Sequence, residues 1–243
     1  MQNKMKFLLS TIVFILVTSN LWSKEASISL ACNNFPPLKI EHPKVDKPGF
    51  DIDLLRAVFN LSNQELKTEF FPWKRALVVA KSGELDGLCS CSFTKEREDD
   101  FYFTDEIGRN SIGFYSLTKI PFTKLSELNN MKVGVVRGYS LEDDLKKNKI
   151  DFIASSNELN LLKMLEKKRI DAIYSFKVVI SELLKTNSFH DKFIYTETSS
   201  APYFTCFSKK SKRSKDLLNQ FNQDLKKIKA DHTYQQLLEK YDL

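Results

Sequence analysis

GFDIDLLRAVFNL, Gly49 to Leu61, is the stretch that decides the fold class. Ile52, Leu55, Val58 and Phe59 recur at helical spacing, and Asp51 and Asp53 suit the N-terminal end of a helix. Upstream, residues 27–31 form a short apolar run stopped by Asn33, Asn34, Phe35, Pro36 and Pro37, the pattern of a strand ended by a turn. Downstream, residues 66–71 alternate like a strand, residues 73–81 are helical with Gly83 placed to end them, and residues 85–91 read as a strand again. This β-α-β-α-β order predicts a parallel sheet with crossover helices.

The rhythm resumes further on. Strands are predicted at residues 111–117, 132–136, 150–154, 171–175 and 203–208. Helices are predicted at 125–128, at 140–147 with Ser140 as cap, at 158–168 and at 176–184. Amphipathic helices over 215–229 and 233–241 finish the chain. Two α/β lobes leave a cleft between them, and ligands in such sheets bind beyond the carboxyl ends of the strands.

Composition agrees with an ordinary globular protein: 243 residues, 42% hydrophobic and 28% charged, with Gly and Pro scarce at 7 each. The formal charge of +6 is scattered. Basic clusters such as 209–215 are short and hold no interleaved aromatics, so they read as solvated helix ends and not as a nucleic-acid surface. Lys4 and Lys6 precede an apolar run at 7–17, followed by small and polar residues to Ser23. That pattern predicts a cleavable secretory signal peptide over residues 1–23, with the mature chain in the periplasm. An uncleaved anchor is the alternative. A lipid-modified Cys32 fits poorly, because Ser29 and Leu30 do not match such a signal and the apolar run lies too far upstream.

DGLCSCSFTKERE, Asp86 to Glu98, carries the candidate chemistry. Zinc would need two ligands beyond Cys89 and Cys91, and His42, His190 and His232 stand in no recognised pattern with them. No metal and no cofactor are expected. Four cysteines allow three full pairings. A bridge between Cys89 and Cys91 within one extended strand is geometrically poor. Cys32 reaches Cys89 or Cys91 if the first and third strands are neighbours, and Cys89 and Cys206 read as small buried apolar side chains. Ser90, Ser92 and Thr94 offer hydroxyls near a strand end, and Arg97 offers the planar fork that suits a carboxylate. The plainer reading of Arg97 is a surface residue opposite Glu96, Glu98 or Asp99. No G-x-S-x-G, H-E-x-x-H or phosphate-loop motif is present, and Gly134 and Gly138 bracket a strand end without forming G-x-G-x-x-G.

In order along the chain, NFPPL, GFDIDLLRAVF, SGELDG, SFTKER, FYFTD, LSELNNMKVGVVRGYS, KKRIDAIYS and ADHTYQQLLEKY resemble the segments of the family 3 extracellular solute-binding proteins, which serve bacterial amino-acid ABC importers. PWKRALVVAKSGELDG looks most like a subgroup of that family. The resemblance implies an α/β, two-lobe periplasmic binding protein of type II, with mainly parallel sheets and crossover helices. One lobe would hold residues 24–111 and 200–243, the other 112–199. It implies a monomer that closes by hinge motion on a small molecule, a permease partner in the inner membrane and no enzymatic activity. Carried over residue by residue, Ser90 (through its main chain), Ser92 and Arg97 would grip an anion. Phe35 would stack on the ligand, and Trp73 would line the same cleft. Tyr139 and Ser140 would present main-chain donors at a helix N-terminus.

One position departs from the family pattern. Where amino-acid binders carry an aspartate for the ligand's ammonium group, this chain has Phe176, and no acid occurs between Ala172 and Ser181. A buried ammonium without a counter-charge is costly, so an organic acid, an aromatic compound or a differently held amino acid is expected. Two further roles stay open: a sensory ligand-binding protein, and a cyclohexadienyl dehydratase-like enzyme with Glu41, Asp105 or Glu106 as its acid.

Overall fold

The structure is a computed structural model that describes residues 27–121, 124–128, 130–190 and 192–243. The signal-peptide expectation for residues 1–23 lies outside these.

β1 (Ile28–Cys32) pairs in parallel with β2 (Leu66–Phe70) on one side and β3 (Gly87–Ser92) on the other. α1 (Phe50–Asn60) and α2 (Trp73–Ser82) make the crossovers. α1 buries Phe50, Ile52, Leu54, Leu55, Val58 and Phe59, the apolar set at helical spacing. Gly49 precedes it at φ 112°, and a Cβ there would lie 2.4 Å from the Leu38 carbonyl oxygen, so only glycine admits this entry. α2 ends on Gly83 in the left-handed conformation.

A second parallel group follows: β5 (Val133–Val136) between β6 (Phe152–Ser155) and β7 (Ala172–Phe176). α4 (Ser140–Lys147), α5 (Glu158–Glu166) and α6 (Lys177–Thr186) belong to it, and α3 (Lys95–Glu98) is a single turn after β3. The two groups are joined by β4 (Phe101–Ser116) and β8 (Ile194–Ser208), which run antiparallel along their whole lengths. The sheet order is β2-β1-β3-β8-β4-β7-β5-β6. α7 (Ser214–Ala230) and α8 (Thr233–Tyr241) return to the first half, where Phe221 meets Phe59 and Tyr241 donates to Asp53.

The mainly parallel pairing is as expected within each half, and β3–β8, β8–β4 and β4–β7 add antiparallel pairs where the halves join. Two expectations need correction. β4 and β8 start well before the predicted residues 111 and 203: β4 opens on Phe101, Tyr102 and Phe103 but Asp105, Glu106 and Arg109 then break the alternation, and the early part of β8 is mostly polar and half-exposed. Ser140 is the first helical residue of α4 and not its cap; Tyr139 holds the cap position, and the Glu142 carboxylate accepts from the Gly138 N–H at 2.6 Å.

The cysteines form two bridges, Cys32–Cys89 and Cys91–Cys206, with Cα separations of 5.2 and 6.4 Å. Cys89 and Cys206 are therefore cross-links and not merely packing residues. The pairing register of β3 shifts between Leu88 and Cys91, and the two cysteines reach opposite neighbours, β1 and β8.

Candidate functional site

The site is built where strands end. β1 runs into Asn33, Asn34 and Phe35, whose turn is closed by the Phe35 N–H donating to the Lys39 carbonyl at 2.7 Å. β3 ends at Ser92, and Thr94 caps α3 by accepting from the Arg97 N–H. That single turn folds Arg97 back over the strand end, where it is only 8% exposed. It is thus not the surface arginine of the plainer reading. Nη1 donates to the Ser92 carbonyl at 2.7 Å, and Nη2 donates across the cleft to the Gly138 carbonyl at 2.9 Å. The guanidinium stands 5.3 Å from the Trp73 ring. Burial lowers its pKa to about 10, opposed by the fields of Asp143 and Glu96, so it stays cationic at neutral pH.

From the other half, Gly138 at φ 81° turns the chain into α4 and presents its carbonyl to the cleft. Trp73 Nε1 donates to the same oxygen at 2.8 Å. Tyr139 and Ser140 follow, and Phe176 closes the end of β7. Phe35 lies 5.8 Å from Phe176 and 6.3 Å from Tyr139, ring to ring, and Tyr139 lies 5.9 Å from Trp73. All eight residues singled out in the sequence, Phe35, Trp73, Ser90, Ser92, Arg97, Tyr139, Ser140 and Phe176, line one cavity of about 40 Å³.

The cavity wall also holds Asn33, Lys39, Asn110 and Tyr203, which sequence reasoning missed. Lys39 is 4% exposed; its Nζ donates to Ser90 Oγ at 2.5 Å and lies 3.4 Å from Asp51 Oδ2. Asp51 further accepts from Ser90 at 2.7 Å and from Tyr203 at 3.1 Å. Burial pushes the Lys39 ammonium down and the Asp51 carboxyl up, and their mutual attraction opposes both shifts. Asp51, read from sequence as a helix-start residue, is the floor of this network.

A second buried group was also missed. The Tyr139 hydroxyl donates to Glu158 Oε1 at 2.6 Å and accepts from the Asn33 amide at 3.3 Å. Burial raises the Glu158 carboxyl to about 7, with the Tyr139 hydrogen bond and the Lys39 charge pulling the other way. The three carboxylates proposed as enzymatic acids are not in the first cavity: Asp105 and Glu106 are outward on β4, Glu106 beside Arg109, and Glu41 sits at the rim. Among the described residues no group of three or more His, Cys, Asp or Glu is placed to hold a metal ion. No described helix is long and apolar enough to cross a membrane.

The model of the bacterial extracellular solute-binding proteins, family 3, matches residues 28–242. The chain belongs to this family. It is 27% identical over 242 residues to a probable histidine-binding protein of Campylobacter jejuni, covering 93% of this chain and 90% of that one. It is 24% identical over 213 residues to an arginine-binding periplasmic protein of Mannheimia haemolytica, covering 86% and 87%. Among solved structures, a histidine kinase sensor domain with similarity to periplasmic binding proteins superposes with a TM-score of 0.82 at 16% identity, over 90% of this chain and 96% of that one. The fold is that of the type II periplasmic binding proteins, and the family assigns the chain a solute-binding role.

Proposed function

We propose that this solute-binding protein captures a small carboxylate-bearing molecule, amino-acid-like or an organic acid, and presents it to an ABC permease of the inner membrane. One observation carries the reading: Arg97 is buried in a cavity lined by Lys39 and neutral residues, with no carboxylate in its wall. A guanidinium has five N–H donors, and Arg97 gives two to protein carbonyls, leaving the rest of the fork for an anion. The Lys39 charge is matched by Asp51, so the cavity carries one unbalanced positive charge.

Capture would work by hinge motion. About 40 Å³ holds a few waters and no amino-acid-sized solute, so the halves must part for entry. We place the lobes at residues 24–111 with 200–243, and at 112–199. In support, the β4–β8 register shifts between Ile112 and Gly113, opposite Ser199. The chain would work as a monomer in the periplasm after loss of residues 1–23. The relatives' names point to histidine and arginine as first candidates, but Phe176 gives no counter-charge to an α-ammonium.

The test is a thermal-shift screen of amino acids, short peptides, organic acids and aromatic acids, with Arg97→Ala alongside. A ligand at about 100 times its Kd adds about 2.7 kcal/mol of stability. A carboxylate hit that disappears in Arg97→Ala is the expected result; hits confined to uncharged compounds would overturn the reading. The likeness to a sensor domain supports a sensory role built on the same capture step. Loss of solute uptake on deletion would favour transport over sensing.

A further inference from the structure

β3 is held least by its ladder where it forms the cavity wall. Its pairing with β1 joins Gly87 to Leu30 and Leu88 to Ala31 and stops there. Its pairing with β8 breaks after Leu88 and resumes with Cys91 opposite Phe204 and Ser92 opposite Tyr203. Cys89 and Ser90 thus stand in a bulge outside the paired register on both sides. The two bridges flank Ser90: Cys89 is tied to Cys32 at the end of β1, and Cys91 to Cys206 on β8. We propose that these bridges are positioning elements of the solute grip. Closed, they fix the bulge so that Ser90 and Ser92 hold Lys39 and Arg97 in place at the cavity; open, they leave the fold standing and the grip unset. This rests on the reading of Arg97 as the carboxylate grip.

Both cations of the wall lean on this short segment. Ser90 Oγ accepts from Lys39 Nζ at 2.5 Å and donates to Asp51 at 2.7 Å. The Ser92 carbonyl accepts from Arg97 Nη1 at 2.7 Å. Ser90, Cys91 and Ser92 all line the cavity. In place of ladder bonds the bulge has a side-chain donor, Thr205 Oγ1 to the Cys89 carbonyl at 3.0 Å. A bulged strand bends and re-aims its side chains; a covalent tie on each flank removes that freedom. The rest of the sheet does not run through this segment, since β1–β2 and β4–β8 are paired along their own lengths. Opening a bridge therefore acts first on the wall. Closing one oxidises two thiols to a disulfide while the disulfide of an exchange partner is reduced to two thiols, a step that proceeds in an oxidising compartment. The grip is thus set after export and not before it.

Two variants test this, each opening one bridge: Cys32→Ala with Cys89→Ala, and Cys91→Ala with Cys206→Ala. Each is compared with wild-type protein brought to the same unfolding free energy by urea, so that lost stability alone cannot produce a difference. Acylation by a succinimidyl ester and modification by phenylglyoxal, located by mass spectrometry, report on Lys39 and Arg97, both buried in the oxidised protein. Hydrogen exchange reports on residues 89–92, with β5 and β7 as the control. We expect labelling of Lys39 and Arg97 and exchange at 89–92 to rise at least about tenfold over the matched wild type in both variants, with β5 and β7 within about twofold. Rates equal to the matched wild type would overturn the positioning role, and the Arg97 grip would still stand if Arg97→Ala abolishes carboxylate binding. A rise shared by β5 and β7, or failure of both variants to fold, would assign the bridges to global stability and overturn the proposal. Carboxylate binding unchanged in Arg97→Ala would overturn the grip itself, whatever the labelling shows.

Discussion

Arg97 and Gly138 face each other across the cleft and are joined by a 2.9 Å hydrogen bond from the guanidinium to the glycine carbonyl. The Trp73 indole donates to that same oxygen at 2.8 Å. One backbone carbonyl of the second half thus receives two donors from the first. In the proposed function the group that grips the solute is also part of the latch, so closure and recognition are coupled through a single side chain.

Trp73→Phe tests the latch. It keeps a ring near Tyr139 and the guanidinium but removes the indole N–H. A neutral hydrogen bond contributes about 1 kcal/mol net, so the closed form should lose about fivefold in population. Solution scattering should show a larger radius of gyration for the free variant and an unchanged one at ligand saturation. Apparent affinity should fall by a similar factor. Unchanged scattering and affinity would show that the indole bond does not hold the cleft.

The two bridges tie β1, β3 and β8 together beneath the cavity. Alkylation without reductant should label no cysteine of the exported protein. Cys91→Ala with Cys206→Ala opens a loop of 115 residues in sequence separation and should cost about 2–5 kcal/mol. A melting temperature equal to wild type would mean that the bridge does not form in solution.

The buried Lys39–Asp51 pair should respond asymmetrically. Asp51→Ala leaves an ammonium buried without its partner and the Ser90 and Tyr203 hydroxyls without their acceptor, a loss of about 3–5 kcal/mol. Because burial already lowers the Lys39 pKa, the variant's deficit is largest at low pH and shrinks as pH rises toward the free lysine value. Replacing both residues, Lys39→Met with Asp51→Leu, should recover most of the loss in urea unfolding. A double variant as weak as the single one would show that hydroxyl desolvation dominates.

How much of this was legible in the sequence follows from range. The βα rhythm is local: α1 announces itself through Ile52, Leu55, Val58 and Phe59, and α2 through Gly83. The joining strands are hidden because Asp105, Arg109 and Glu197 face outward and break the apolar runs. Within the site, Phe35, Ser92, Arg97 and Phe176 sit at strand ends or just beyond them and are found from strand prediction plus family likeness. Lys39, Glu158 and Tyr203 are not, since their partners are distant: 152 residues separate Tyr203 from Asp51. Nothing local distinguishes a buried charge from a solvated one, and Lys39 and Glu158 read like any surface lysine or glutamate until the chain is folded.

Glu158 makes stability depend on pH in a direction opposite to that of most carboxylates. Its carboxyl stands at about 7 in the folded protein against 4.5 for a free glutamate. Between those values the folded chain holds a proton that the unfolded chain releases, so stability falls as pH rises through this window. The full difference amounts to about 3 kcal/mol, present below the lower value and lost above the higher one. Asp86 and Asp224, held below the usual range by Arg213 and by Lys227 and Ser62, act with the opposite sign and at more acidic pH. Glu158→Gln isolates the effect: the glutamine still accepts from Tyr139 but does not titrate. Unfolding free energies of the two proteins should be close at about pH 5, with the variant the more stable by a few kcal/mol at about pH 8. A constant difference across that range would place the Glu158 carboxyl at an ordinary acidity.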